Sequence, residues 1–199
     1  MNVFTSAKKT AIATVTAGTL ILSVAGAVPS YAAANTTAPA AAPVDDHMKA
    51  FQTLMSFYKP ALQGQFPNFH GFTVGLTSHE TVIKAIGKAE SPAKDADGFD
   101  VYHAEMGHPG YALNYKLDKI REMRYFGTNV ERQTNLGGIS ARMVIQHWGA
   151  PNQSALIKSG KTVQKKLTYV RGKYQLEFIF NNTSGLDLDH INLVNKSIK

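Results

Sequence analysis

The chain has 199 residues, 44% of them hydrophobic, and a formal net charge of +7. It contains no cysteine, which excludes disulfides, thiol catalysis, Cys-ligated zinc or iron–sulfur centres and a lipid-carrying cysteine at a cleavage site. The positive surplus suits a surface rich in anionic polymer, although simple solubility accounts for it equally well.

Lys8 and Lys9 precede an apolar stretch from Ala11 to Val28, and "PSYAAA" follows. A charged start, an apolar middle and a small-residue exit are the order of a secretory signal. Ser30 and Ala32 fit the −3 and −1 positions, so residues 1–32 are expected to be a signal peptide. Thr14, Thr16, Gly18, Thr19 and Gly26 dilute the stretch below what a membrane-spanning helix needs. Cleavage would remove two lysines and no acid, leave about 165 residues for one good core, and give a secreted protein without a membrane span. Residues 33–44 are dominated by Ala and Pro with no apolar period, and read as a disordered linker. The folded domain is expected over 45–199.

Asp45 or Asp46 can cap a helix. Met48, Phe51, Leu54, Met55 and Tyr58 then recur at three- and four-residue steps as one apolar stripe, and Pro60 should end or kink it. Gly64, Pro67 and Gly71 mark a connector.

Two segments share a pattern. In "GLTSHETVIKAIGKA" (75–89) and "GGISARMVIQHWGAP" (137–151), Gly75 lies on Gly137, Ser78 on Ser140, Val82-Ile83 on Val144-Ile145, Ile86 on Trp148 and Gly87 on Gly149. Each reads as a short helix. In the first, Thr77 and Glu80 have capping-box spacing and Gly87 is the stop. In the second, Ser140 is the N-cap, Ile139 staples onto Val144, and Gly149 with Pro151 ends the helix. Strand patterns follow both. In "FDVYHAEM" and "GYALNYKLDKIREMRYF", Tyr111, Leu113, Tyr115 and Leu117 alternate with polar residues. In "VQKKLTYVRGKYQLEFIF" and "DHINLVNK", Tyr174, Leu176, Phe178 and Phe180 do the same. A hairpin turns at Arg171-Gly172 or Gly172-Lys173, and a longer loop spans Asn181–Leu188. The expected fold is α+β: an N-terminal helix, then two tandem units at about 69–127 and 131–196. Each unit is a short helix followed by about three antiparallel strands.

A signal peptide, an N-terminal helix, two Gly-Ser/Thr-Val-(Ile/Val)-x-x-(Ile/Trp)-Gly units, "YVRGKYQLEFIF" and "DHINLV" together resemble the YjgB-like family, over about residues 45–196. That is a family of unknown function in secreted proteins of Gram-positive, spore-forming bacteria. A looser likeness runs to the repeat unit of β-lactamase inhibitory proteins and small outer-membrane assembly lipoproteins, which implies helices laid on an antiparallel sheet. The family's Gly-Lys-Pro reads Gly87-Lys88-Ala89 in the first unit and Gly149-Ala150-Pro151 in the second. The helix stop survives in both. The resemblance supplies no catalytic residues.

Candidate chemistry is sparse. No Gly-x-Ser-x-Gly elbow or phosphate-binding Gly-Lys-Ser/Thr loop occurs. "NLGGIS" reads as a tight turn into a capped helix rather than an anion site. His103, Glu105 and His108 crowd "YHAEMGHPG", and a shared strand face would bring the first two together as metal ligands. An exposed hairpin with incidental histidines is the simpler reading. His79, Glu80 and His147 read as solvent-facing helix residues, and Trp148 as a core residue. Asp95, Asp97 and Asp100 alternate as calcium ligands do, but the rest of that loop pattern is missing, so they read as a polar turn.

Lys158, Lys161, Lys165, Lys166, Arg171 and Lys173 gather in the second unit with Tyr169 and Tyr174 among them. Lys165, Lys166, Tyr169, Arg171 and Lys173 are the candidate ligand-binding residues, since a basic, aromatic sheet face can hold an anionic chain or stack sugars. Lysines protecting a strand edge are the plainer alternative. The functional expectation is a secreted, non-catalytic binding protein associated with the cell wall, with an anionic wall polymer or an extracellular protein as partner. Neither a cofactor, a resident metal nor nucleic acid is expected. Alternatives are an inhibitor or sensor of an extracellular enzyme with an open aromatic sheet face, and a weak metal-dependent enzyme using His103, Glu105 and His108.

Overall fold

The structure, a computed structural model, describes residues 46–128 and 136–198. The expected signal peptide (1–32) and linker (33–44) lie outside the described residues. Helix α1 spans Asp46–Ser56 and α2 spans Tyr58–Leu62. Pro60 sets that division. Its ring would collide with the Ser56 carbonyl four residues back, and it has no N–H to offer it. The helix therefore breaks at Phe57 and restarts with Pro60 in the first turn of α2, where a missing N–H costs nothing. The buried stripe is Ala50, Leu54, Phe57 and Ala61. Of the expected stripe, Leu54 is buried and Phe51 and Met55 pack against the core in part, whereas Met48 and Tyr58 are exposed. Alanine hid the true axis, because it counts little in a periodicity search yet allows close helix approach.

The connector does more than link elements. Phe66, Phe69, Phe72 and Val74 are all buried, so it supplies four core side chains through an irregular path. Gly64 is required there. Its φ is +74°, and a Cβ at this position would run into the Tyr174 ring.

Helices α3 (His79–Ile86) and α4 (Ala141–Trp148) are alike in length and in both caps. Ser78 Oγ accepts from the Thr81 N–H and Ser140 Oγ from the Met143 N–H, each at 3.2 Å. Ser78 thus caps the first helix, not Thr77. The Thr77 hydroxyl instead accepts from the Thr73 N–H at 2.9 Å. Gly87 and Gly149 end the helices at φ +83° and +79°.

Among the described residues, seven strands form one antiparallel sheet: β1 (Asp100–Tyr102), β2 (Gly110–Lys116), β3 (Lys119–Gly127), β4 (Gln153–Ser159), β5 (Thr162–Arg171), β6 (Tyr174–Phe180) and β7 (Leu188–Asn195). Their order is β1-β2-β3-β7-β6-β5-β4. The two meanders therefore meet through their last strands, β3 and β7, with Met123 opposite Leu193 and Tyr125 opposite Ile191. The second meander has four strands where three were expected. "QSALIKS" shows no clean alternation, so β4 was invisible to a period-two search. Leu117 is not in a strand: it sits in the β2–β3 turn, 88% exposed at φ +50°. The β5–β6 turn is Gly172-Lys173, since Arg171 pairs with Tyr174.

All helices pack on one face of this sheet. That face carries Tyr102, Leu113, Met123, Ile191, Leu176, Phe178 and Tyr169, all buried. Trp148 packs edge-on against Tyr169, Phe178 and Tyr58, at centroid distances of 5.7, 5.2 and 5.0 Å. On the opposite face the 91–99 segment folds over β2, where Asn114 Nδ2 donates to the Gly98 carbonyl at 2.6 Å.

Two glycines separate backbone strain from collision. Gly64→Ala is expected to lower unfolding free energy by about 3 kcal/mol, since it adds a clash to a positive φ, and Gly71→Ala by about 1 kcal/mol, since its Cβ would meet nothing within 4 Å. Urea denaturation of both variants measures the difference.

Candidate functional site

The candidate ligand-binding residues do not share a surface. Side chains alternate along β5. Lys165, Tyr169 and Arg171 lie on the helix-facing side, whereas Lys166 lies on the outer side with Thr168. Tyr169 is fully buried, and its hydroxyl donates to the Gly149 carbonyl at 2.9 Å. Arg171 lies over the Tyr169 ring at 5.1 Å and donates to the Val170 carbonyl. Lys166 Nζ donates to Glu177 Oε1 at 3.0 Å, and Gln175 Nε2 donates to the same oxygen at 2.7 Å. Lys173 occupies the hairpin turn beside Tyr174. The basic set is thus split between two faces, and one of its four cations, Lys166, is already paired with an acid.

The histidine cluster does not assemble either. β1 stops at Tyr102, so His103 and Glu105 do not share a strand face. The His103 ring meets Ser91 Oγ at 3.1 Å, and its backbone N–H donates to Glu90 Oε2. Glu105 and His108 pair through their backbones across a tight turn. Among the described residues no group of three or more His, Asp or Glu is placed to hold a metal ion. Asp95 stabilises its own turn by accepting from the Asp97 N–H at 3.0 Å. Asp100 is buried, pairs with His79 Nε2 at 2.9 Å and accepts from the Ala93 N–H. His79 is therefore tied to the sheet rather than simply facing solvent, and its ring lies 4.4 Å from that of Tyr115.

What the structure does assemble is a cleft of about 630 Å³ in the N-terminal half of the fold. Gln52, Thr53 and Ser56 of α1 form one wall, and Pro67, Asn68, Phe69 and His70 of the connector another. Ile86, His108 and Pro109 complete the rim, and Tyr102, Tyr111 and Tyr125 form the floor. The floor is a packed aromatic cluster. Phe69 stacks on Tyr111 with centroids 3.7 Å apart and planes 7° from parallel. Tyr125 meets Tyr111 and Phe57 edge-on, at 5.5 and 4.9 Å. Asn68 and His70 hold φ of +53° and +50° at the rim, a region in which Asn and His are the best tolerated after Gly. Among the described residues no Lys, Arg, Asp or Glu lines the cleft.

Burial governs the floor. It pushes the Tyr102 hydroxyl up to about 12, helped by nearby Asp100 and Glu90, and raises Tyr111 and Tyr125 from the usual range as well. All three stay protonated, and hence hydrogen-bond donors, at any physiological pH. The Tyr102 hydroxyl is spent on the Gly87 carbonyl, 3.3 Å away. Those of Tyr111 and Tyr125 hydrogen-bond to no described residue. The cleft therefore offers apolar ring edges, neutral hydroxyls and amides, and two imidazoles. Among its described residues there is no nucleophile–base pair, and their acid–base chemistry would rest on His70 and His108. Sequence reasoning missed it because its walls come from six separate segments. The sole advance signal was the Phe and Pro content of the connector.

A helical layer on one face of a single antiparallel sheet, with an aromatic cleft between helix and sheet, defines a two-layer α+β protein. No helix among the described residues is long and apolar enough to cross a membrane. The chain belongs to the family described as "Domain of unknown function (DUF4309)", which matches residues 54–194. It is similar to the uncharacterised protein YjgB of Bacillus subtilis strain 168, at 32% identity over 189 residues, covering 90% of this chain and 97% of that one. The crystal structure of that DUF4309 protein superposes with a TM-score of 0.67 and 34% identity, over 75% of this chain and 99% of the other. The YjgB-like resemblance read from the sequence and the α+β class both stand.

The buried tyrosines set an alkaline limit on stability. Tyr102 and Tyr169 have folded values of about 12 against about 10 when unfolded. Above pH 10 the unfolded state has lost protons that the folded state keeps, so stability falls as pH rises. The urea midpoint is expected to stay level to about pH 9.5 and then drop steadily toward pH 12. Tyr169→Phe should start about 1 kcal/mol lower, having lost the Gly149 bond, and fall less steeply.

Proposed function

We propose that the protein is an exported, non-catalytic binding module whose cleft takes a neutral, hydroxyl-rich chain such as a cell-wall glycan. One observation carries this reading: a cleft of about 630 Å³ whose floor is aromatic and whose lining, among the described residues, includes no residue of fixed charge. Sugars present alternating apolar faces and hydroxyls. Ring edges match the first, and the Tyr111 and Tyr125 hydroxyls with the Gln52, Asn68, His70 and His108 side chains match the second. An anionic polymer would find no counter-charge here. The signal-like N-terminus supports export to where such a polymer lies. An enzyme inhibitor with an open aromatic sheet face is less well supported, because Tyr169 and Tyr174, which lie outside the cleft, are buried beneath the helical layer.

The test is retention on insoluble cell-wall material stripped of anionic polymers, at low and moderate salt. Retention is expected at both, because a neutral contact is not screened. Ile86→Trp should fill the cleft mouth and cut affinity at least about tenfold while unfolding stability changes little, and His70→Ala with His108→Ala should weaken binding by a similar factor. No retention at either salt, or retention that vanishes at moderate salt, would sink the glycan reading.

A further inference from the structure

We infer that strand β4 is a self-pairing edge, through which two copies of the chain join as a two-fold dimer with one continuous sheet. The sheet has two edges, and they are treated differently. β1 is three residues long, and Ser91 closes it, exchanging both backbone hydrogen bonds with Val101 at 3.2 and 2.8 Å. β4 is seven residues long and pairs only with β5 among the described residues. Its free side offers a row of backbone donors and acceptors, which is a template for another strand. Edges that avoid pairing carry charges, prolines or bulges. β4 carries one lysine, no proline, and a regular seven-residue register with β5.

The occupant follows from the strand's own sequence. A two-fold axis at Leu156 would set Leu156 opposite Leu156 of the second copy, Ala155 opposite Ile157, and Ser154 opposite Lys158. Apolar residues then face apolar ones, and no two like charges are opposed. Leu156 is 61% exposed, more than a lone strand leucine gains from. It lies on the same side of the sheet as its cross-strand neighbour Lys165. That side faces α4, where Ile145 is 41% exposed along a groove reaching Lys165. Directly opposed residues share a face, so pairing would join both leucines and both isoleucines into one apolar strip along the seam. This surface is remote from the aromatic cleft and does not depend on how the cleft is used.

The chain's lack of cysteine makes the register testable. Across an antiparallel pair, opposed Cα atoms lie about 4.5–5.5 Å apart, inside the range a disulfide spans. Leu156→Cys should therefore give a covalent dimer under mild oxidation. Ser154→Cys should not, because its own copy would lie four residues off register, about 13 Å away. By sedimentation the wild-type protein should show a concentration-dependent dimer. Leu156→Lys opposes two lysines at the axis and should weaken that dimer at least about tenfold. The exposure of Leu156 means that Leu156→Lys, and Leu156→Cys kept reduced, should show the thermal midpoint of the wild-type protein diluted to monomer, and that retained midpoint separates lost pairing from lost folding. A protein that stays monomeric at the highest soluble concentration overturns the proposal. So does equal cross-linking of the 154 and 156 variants.

Discussion

Two eight-residue helices have to be held still on a sheet, and most of the architecture follows from how that is done. A helix of this length is about 12 Å long and would not persist alone in water. Each is fastened at both ends. Ser78 and Ser140 satisfy an orphan N–H at the start. At the finish, Gly87 and Gly149 turn the chain at positive φ, and the freed carbonyl of each accepts a tyrosine hydroxyl from the sheet, Tyr102 for the first and Tyr169 for the second. The tyrosine links a helix end to a strand while its ring enlarges the core. Burial that raises these hydroxyls well above their ordinary range also keeps them protonated as donors, so the fastening is insensitive to pH until strongly alkaline conditions.

Much of this was legible in the sequence because it is local. Ser140, Gly149 and the Tyr174, Leu176, Phe178, Phe180 alternation are set by rules acting within one turn or one strand. The family resemblance rested on the same segments. Errors arose where a side chain is claimed by a partner outside its own element's pattern. Thr77 has capping-box spacing with Glu80, but its hydroxyl goes back to Thr73, which leaves the cap to Ser78. The stripe running through α1 and α2 is defined by Ala50 and Ala61, whose small size matters only once the sheet lies beneath them. β4 has no alternation to find, because one of its sides is an edge and neither face is fully covered.

The site failed to show for a related reason. A run of basic residues is conspicuous in one dimension, whereas strand alternation sends Lys165 and Lys166 to opposite faces and Glu177 pairs with the second. The aromatic cleft is assembled from residues as far apart as Gln52 and Tyr125, each ordinary in its own segment. Only the placement of Phe69 flat on Tyr111, and of the α1 wall across from them, turns them into one surface.

The two helices also suggest why the station beside Tyr102 is open while its counterpart beside Tyr169 is filled. Ile86 and Trp148 hold the same station, the last residue before the glycine that ends the helix. In the second half the indole fills that station completely, wedged among Tyr58, Tyr169 and Phe178. In the first half isoleucine is too small to reach across, and the space beside Tyr102, Tyr111 and Tyr125 stays open. Packing to crystal-like density is what a core does by default. A station filled in one half and left open in the other, with neutral hydrogen-bonding groups drawn around the opening, is therefore more readily explained by a ligand than by folding. The shared pattern of the two segments accounts for stability, and the one position where their apolar anchors differ most in size is where the proposed ligand would sit.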